Sequence, residues 1–198
     1  MNLKSQLSEE EIRQVAELHF TLLNDGFLAS FGKDFLYLLY QELNLSCGST
    51  IIVSYENSRI IGFISGGTGL KNVYIRLLKN PLRLLMAILP QLLKKHTLLK
   101  LFSLLNRKRL RSKGGLKTLD AELYSICVME QYQGSTVAKQ LYKQLCNYFA
   151  KMDIDEFIIV VGDKLFRAKK FYIKQGAVPI GLLKQGHGKK SVIFKHKM

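Results

Sequence analysis

Glu122-Leu-Tyr-Ser-Ile-Cys-Val-Met-Glu-Gln-Tyr-Gln-Gly-Ser-Thr-Val-Ala138 is the stretch on which the reading of this chain turns. Its first half belongs to a longer β-compatible run, Leu116–Met129, in which strict alternation places Glu122, Tyr124, Ile126 and Val128 on one face of a strand. Its second half turns at Gly134 and continues as a helix to about Met152. A strand turning sharply into a helix points several unpaired backbone N–H groups the same way, at the positive end of the helix dipole. That arrangement suits a phosphate without any cationic side chain. Gly134, Ser135 and Ala138 are small enough to let phosphate oxygens approach.

Upstream, Ser8 followed by Glu11 is a capping box, and Ile12, Val15, Ala16, Leu18 and Leu22 then recur at helical spacing, predicting a helix to about Asn24. A second helix is expected after Gly32, with Phe35, Leu36, Leu38, Leu39 and Leu43 as a broad apolar face. Ser49–Tyr55 and Arg59–Ser65 read as strands joined by a turn at Glu56, Asn57 and Ser58. The segment Leu70–Lys113 has leucines at helical spacing and is punctuated by Pro81 and Pro90, so it reads as two or three short amphipathic helices. Downstream come a buried strand at Phe157–Val161, a helix over Lys164–Gln175, and a closing hairpin of Ala177–Leu183 and Lys190–Lys195 around Gly186 and Gly188. This order predicts an α/β fold, a mixed sheet with helices on both faces, in one domain over 1–198.

Bulk properties narrow the class. At 198 residues, 47% hydrophobic, the chain can bury one substantial core and does not require two. Cys47, Cys127 and Cys146 are odd in number and not closely paired, which argues against a disulfide framework or a metal site and fits a reducing compartment. The N-terminal residues lack a basic segment followed by an apolar one, and the apolar stretches are broken by Lys, Arg or Pro before about 18 residues. The expectation is a cytoplasmic protein without a spanning helix. The net charge of +15 is concentrated, since Leu70–Lys113 carries twelve Lys and Arg and no acid, while elsewhere 18 basic residues face 15 acidic ones. An excess confined to one block argues against a nucleic-acid-binding chain. It fits recruitment of an anionic acceptor or peripheral contact with an anionic membrane surface. A solvated cap or a homodimer contact is the bland alternative.

Taken with Ala168, Phe171, Tyr172 and Gly176, the opening stretch resembles the GCN5-related N-acetyltransferase (GNAT) family. That family has a Gln or Arg, two residues, a Gly, one residue and a Gly or Ala at a strand-to-helix turn, matched here by Gln133, Thr136 and Ala138. A later unit has an Ala four residues before a Tyr and a Gly four residues after it, matched by Ala168, Tyr172 and Gly176. The resemblance implies a mixed, mostly antiparallel central sheet flanked by helices. The first strand would be short or absent, and the basic helical insertion, 70–113, would lie between the third and fourth strands.

The activity implied is transfer of an acetyl group from acetyl-CoA to an amine, with no metal. Gln133, Gly134, Ser135, Thr136, Val137 and Ala138 would hold the pyrophosphate, Ile126, Cys127 and Val128 would run along the pantetheine arm, and Ala168 completes the cofactor-binding set. Glu122, six residues before Val128, matches the general-base glutamate of the histone acetyltransferase branch. An amine is mostly ammonium at neutral pH and must lose a proton before it attacks a thioester, a task a carboxylate can perform directly or through water. Tyr172 matches the family's acid for the departing thiolate, and a phenol is a protonated donor at pH 7. Tyr124, beside Glu122, and His187, in the terminal hairpin, are the candidate acceptor contacts.

Two residues depart from the pattern. Thr136 stands where the family has glycine, so either the turn is already helical there or the pocket is altered. Leu165 replaces a frequent Asn, which removes a hydrogen bond to pantetheine. Cys127 reads as a small buried residue rather than a nucleophile, and His187 reads more readily as a solvated loop histidine than as an acceptor contact. The favoured acceptor is a small-molecule amine such as an amino sugar or nucleotide-linked sugar. Protein N-acetylation, or a non-catalytic membrane- or nucleic-acid-binding module, are the alternatives.

Overall fold

The computed structural model describes residues 6–24, 26–92, 120–184 and 190–198. Helix α1 (Glu9–Leu22) begins at the expected capping box. The Ser8 hydroxyl accepts the Glu11 N–H at 3.3 Å, and the Glu11 carboxylate accepts the Ser8 N–H at 2.7 Å. A single 3₁₀ turn (Ala29–Phe31) leads through Gly32, whose φ of 95° favours glycine, into α2 (Lys33–Leu45). Strands β1 (Ser49–Glu56) and β2 (Arg59–Gly67) pair Glu56 with Arg59, leaving a two-residue turn in which Asn57 and Ser58 both take positive φ, 48° and 62°. That turn twists with the strands it joins.

Helices α3 (Leu70–Lys79) and α4 (Pro81–Leu92) form the first half of the basic segment, and the helical expectation for 93–113 lies outside the described residues. After β3 (Glu122–Val128) come a 3₁₀ turn (Glu130–Tyr132), α5 (Val137–Ala150), β4 (Glu156–Gly162), α6 (Phe166–Lys174), β5 (Val178–Lys184) and β6 (Lys190–Lys197). Of the strand predicted over Leu116–Met129, 116–119 lie outside the described residues, and Asp120, Ala121 and Met129 lie beyond the ends of the observed strand.

The six strands lie in the order β1-β2-β3-β4-β6-β5, antiparallel except for the β3–β4 pair. Because no strand precedes α1 among the described residues, the basic insertion follows the second strand here and not the third. Each sheet face has its own core. Helices α1 to α4 cover one face around Phe31, Leu36, Leu39, Tyr40 and Phe63, and α5 and α6 cover the other around Leu141, Leu145, Phe149, Phe157 and Phe194. These side chains are nearly fully buried, each contributing about 1.5–3 kcal/mol relative to exposure. Arg76 fixes α3 to α2, its Nε donating to the Glu42 carboxylate and its Nη2 to the Glu42 carbonyl, both at 2.7 Å.

Candidate active site

The parallel strands β3 and β4 pair only at Glu122 with Ile158 and Leu123 with Ile159, then separate. On its other edge β3 stays paired with β2 as far as Val128 with Gly62, and the Met129 N–H donates to the Ile61 carbonyl at 2.8 Å. Antiparallel ladders alternate, so the N–H groups of Ile126 and Val128 point away from β2 into the gap left by β4. Gln133 Nε2 donates to the Val128 carbonyl at 3.4 Å, tying the following turn to the end of the strand.

A bulge divides β3. Ser65 faces Ser125 on β3, but the next residue, Gly66, faces Leu123, so Tyr124 has no counterpart on β2. One extra residue reverses the alternation beyond it. The expectation that Glu122, Tyr124, Ile126 and Val128 share a face is therefore corrected. Tyr124 and Cys127 pack into the α1–α4 core, and Glu122 opens onto that side, whereas Leu123, Ile126 and Val128 pack towards α5.

At the fork lies a cavity of about 50 Å³ on the α1–α4 side. Glu122, Tyr124 and Ser125 of β3, Ser65 of β2, Tyr40 of α2 and Tyr74 of α3 line its polar side, leucines of α2, α3 and β3 close its apolar side, and it reaches Val160 of β4 across the gap. Its size suits a few waters or the amine end of a ligand, not a whole sugar. Glu122 is only 7% exposed. Burial, reinforced by the neighbouring Glu122 carboxyl, pushes the Tyr124 phenol well above its ordinary value. The Tyr40 hydroxyl lies 2.6 Å from His19 Nδ1, whose pKa burial lowers to about 4. The buried hydroxyls of Ser65 and Tyr124 face polar neighbours, Ser65 that of Tyr40 and Tyr124 that of Ser49.

The turn before α5 resolves the Thr136 departure. Thr136 is already helical, at φ −76° and ψ −11°, and the positive φ falls on Gly134, at 84°. Ser135 Oγ donates to the Tyr132 carbonyl at 2.6 Å and accepts the Val137 N–H at 3.3 Å, and the Tyr132 hydroxyl in turn donates to Glu56. The N–H groups of Gly134, Thr136, Ala138 and Lys139 have no protein acceptor among the described residues, and a side chain at Gly134 would meet open space. This is the anion-binding geometry expected at the start of a 14-residue helix.

Tyr172 sits on α6, 5% exposed, its ring 6.1 Å from Tyr142 and 6.3 Å from Phe194. Burial raises its phenol, so it stays protonated at neutral pH. Ala168 packs on the same core. Tyr172 and Glu122 thus lie on opposite faces of the sheet, and whatever connects them passes through the gap between β3 and β4. Leu165 is exposed at the start of α6 and supplies no side-chain cap. Cys127 is buried and its thiol is pushed up to about 12, the wrong condition for a nucleophile. His187 lies outside the described residues.

Sequence reasoning missed Tyr40, His19, Ser65, Tyr74 and Ser125. His19 carried a signal, being a polar residue on the apolar face of α1 that must find a buried partner.

The acetyltransferase (GNAT) family model matches residues 16–177. The chain belongs to this family, and it is an acetyl-CoA-dependent N-acyltransferase. No curated protein matches it. In fold it is similar to the PaiA N-acetyltransferase of Thermoplasma acidophilum in complex with coenzyme A, at 13% identity and a TM-score of 0.59, covering 98% of this chain and 97% of that one. It is also similar to a ribosomal-protein-alanine N-acetyltransferase from Brucella melitensis, at 11% identity and TM-score 0.62, covering 98% of each chain. An aminoglycoside 6'-N-acetyltransferase complexed with coenzyme A matches at 10% identity and TM-score 0.60, covering 98% of this chain and 95% of that one. Among the described residues no helix is long and apolar enough to cross a membrane, and no group of His, Cys, Asp and Glu is placed to hold a metal.

Proposed function

We propose that this chain moves the acetyl group of acetyl-CoA directly onto the amine of a hydroxyl-bearing small molecule, of the amino-sugar or nucleotide-linked-sugar class. The observation that supports it is the buried Glu122 side chain in a cavity at the fork of β3 and β4 whose polar side is made of Ser and Tyr hydroxyls. Ser65 and Tyr124 bring hydroxyls to its wall, which suits an acceptor that carries hydroxyls of its own.

In this reading the pyrophosphate rests on the N–H groups of the turn Gln133–Ala138, with Val137 opening α5. Pantetheine adds to the open edge of β3 at Ile126–Val128, where Cys127 contributes backbone only, and Ala168 leaves room on the α6 side. The Val128 N–H polarises the thioester carbonyl. Glu122, directly or through a cavity water, takes the proton of the ammonium. The amine nitrogen then bonds to the thioester carbon and the carbon–sulfur bond breaks as Tyr172 gives its proton to the departing thiolate. The second proton, shed by the new amide nitrogen, passes through water to restore the Tyr172 phenol, and Glu122 releases the first to solvent. Tyr124 orients the acceptor, and His187 is its candidate contact from the terminal hairpin. The reading treats 1–198 as one acyltransferase domain working in the cytoplasm, with 70–113 bringing it to an anionic membrane surface.

The test is mass spectrometry of an amine and amino-sugar panel, with a peptide arm, incubated with acetyl-CoA. A single acetyl increment on an amino sugar supports the reading. An increment confined to peptides reassigns the acceptor to protein. No acetyl-CoA-induced rise in melting temperature, in a protein where Ala138→Asp also has no effect, would remove the donor assignment altogether.

A further inference from the structure

The basic segment does more than carry charge. In α3 and α4, Ile75, Leu78, Leu82, Leu85, Met86 and Leu89 recur at helical spacing and all face solvent, Leu82 at 77% and Met86 at 74% exposure. The opposite sides of the same helices hold Val73, Leu77, Ala87 and Ile88 in the core. Both helices are fastened to α2, through Arg76 with Glu42 and through Arg83 Nη2 with the Gln41 side chain at 2.9 Å. An apolar stripe of this length on a fastened support is unusual for a solvated surface.

Charge decides what covers it. Lys71 and Lys79 stand exposed on α3 beside the stripe, and neither α3 nor α4 contains an Asp or Glu. A second copy seated on the same face by a two-fold axis would set these lysines against their own copies with no acid on either helix to answer. An anionic bilayer answers both features at once, taking the leucines below its headgroups and the cations at their level.

We propose that the Ile75–Leu89 stripe of α3 and α4 is the docking face for an anionic lipid surface. This rests on the peripheral placement proposed above and adds the face and the residues that make the contact. It also sets the enzyme's orientation. Leu70 and Tyr74, on the inner side of α3, line the acceptor cavity, so the docked face and the cavity share one helix wall. An acceptor at the lipid surface would be presented beside Glu122.

The experiment is co-sedimentation of the full chain with vesicles of equal parts phosphatidylglycerol and phosphatidylcholine, and with phosphatidylcholine alone. Wild type should bind the mixed vesicles at least about tenfold more tightly than the neutral ones. The variant Leu82→Gln/Met86→Gln/Leu89→Gln should lose at least about tenfold of that binding while keeping its melting temperature, because the three side chains are already exposed. The chain has no tryptophan, so Met86→Trp gives a single reporter whose emission should shift to the blue on the mixed vesicles. Equal binding by wild type and the triple variant, or an unshifted reporter, would overturn the proposal. Self-association that the triple variant abolishes, without vesicle binding, would give the face to a second copy. The acetyl-CoA-induced melting shift, read on the same samples, reports the donor site separately, so either conclusion can fail without the other.

Discussion

The hydroxyl of Tyr40 lies 2.6 Å from Nδ1 of His19, and Tyr40 itself lines the cavity that holds Glu122. Burial keeps this imidazole neutral and lowers its pKa from 6.5 to about 4. As pH falls, the unfolded chain takes up the proton first. Stability from this group is therefore complete above about pH 6.5 and is lost as pH falls towards 4, a loss of about 3 kcal/mol. The gap in melting temperature between wild type and His19→Gln should stay level from pH 7.5 to about pH 6.5 and narrow from there to pH 4. A constant gap would mean that His19 does not titrate in this window.

Gly134 and Thr136 should exchange the roles that the family pattern gives them. Gly134→Ala forces a side chain into a left-handed conformation and should cost about 1–2 kcal/mol in urea unfolding. Thr136→Gly restores the family residue where the backbone is already helical. It should cost up to about 1 kcal/mol and leave acetyl-CoA affinity unimproved in calorimetry.

The two proton-transfer candidates separate by what each substitution spares. Once an acceptor is in hand, Glu122→Gln should lower kcat by about 10²–10⁴-fold while the acetyl-CoA-induced melting shift is kept. Tyr172→Phe keeps the ring packed against Tyr142 and Phe194, so coenzyme A affinity should hold while kcat drops. Unchanged kcat in either variant would return that residue to a packing role.

Gly67 is the ladder partner of Glu122, and a Cβ added there would lie 2.2 Å from the Gly48 carbonyl oxygen and 2.5 Å from Ser49 Cα. Both neighbours are backbone and cannot swing aside. Gly67→Ala should destabilise by about 3 kcal/mol and disturb activity with it, measured by urea unfolding beside turnover. A melting temperature equal to wild type would show that β1 and β2 can separate there without loss.

Most of the element order was legible because it is encoded locally. Ser8 and Glu11 announce α1, Asn57 and Ser58 announce the hairpin, and the run ending at Gly134 announces the strand, turn and helix. The bulge at Tyr124 was not legible, because a period of two has no place for an extra residue and only the register against Ser65 and Gly66 exposes it. The pairing of His19 with Tyr40 joins two helices across 21 positions, and no local pattern encodes that. At the turn, the glycine count was readable but not which position takes the positive φ, since Gly134 satisfies the geometry two residues before the family's glycine.

The extra residue at Tyr124 has a kinetic consequence. It turns Glu122 to one side of the sheet and the side chains of Ile126 and Val128 to the other, so under the proposed assignment donor and acceptor have separate doorways that meet only at the fork. Neither molecule has to leave before the other enters. Under the proposed assignment, initial-rate lines for the acceptor at several acetyl-CoA concentrations should intersect instead of running parallel, and free coenzyme A should compete with acetyl-CoA while leaving the acceptor's doorway open.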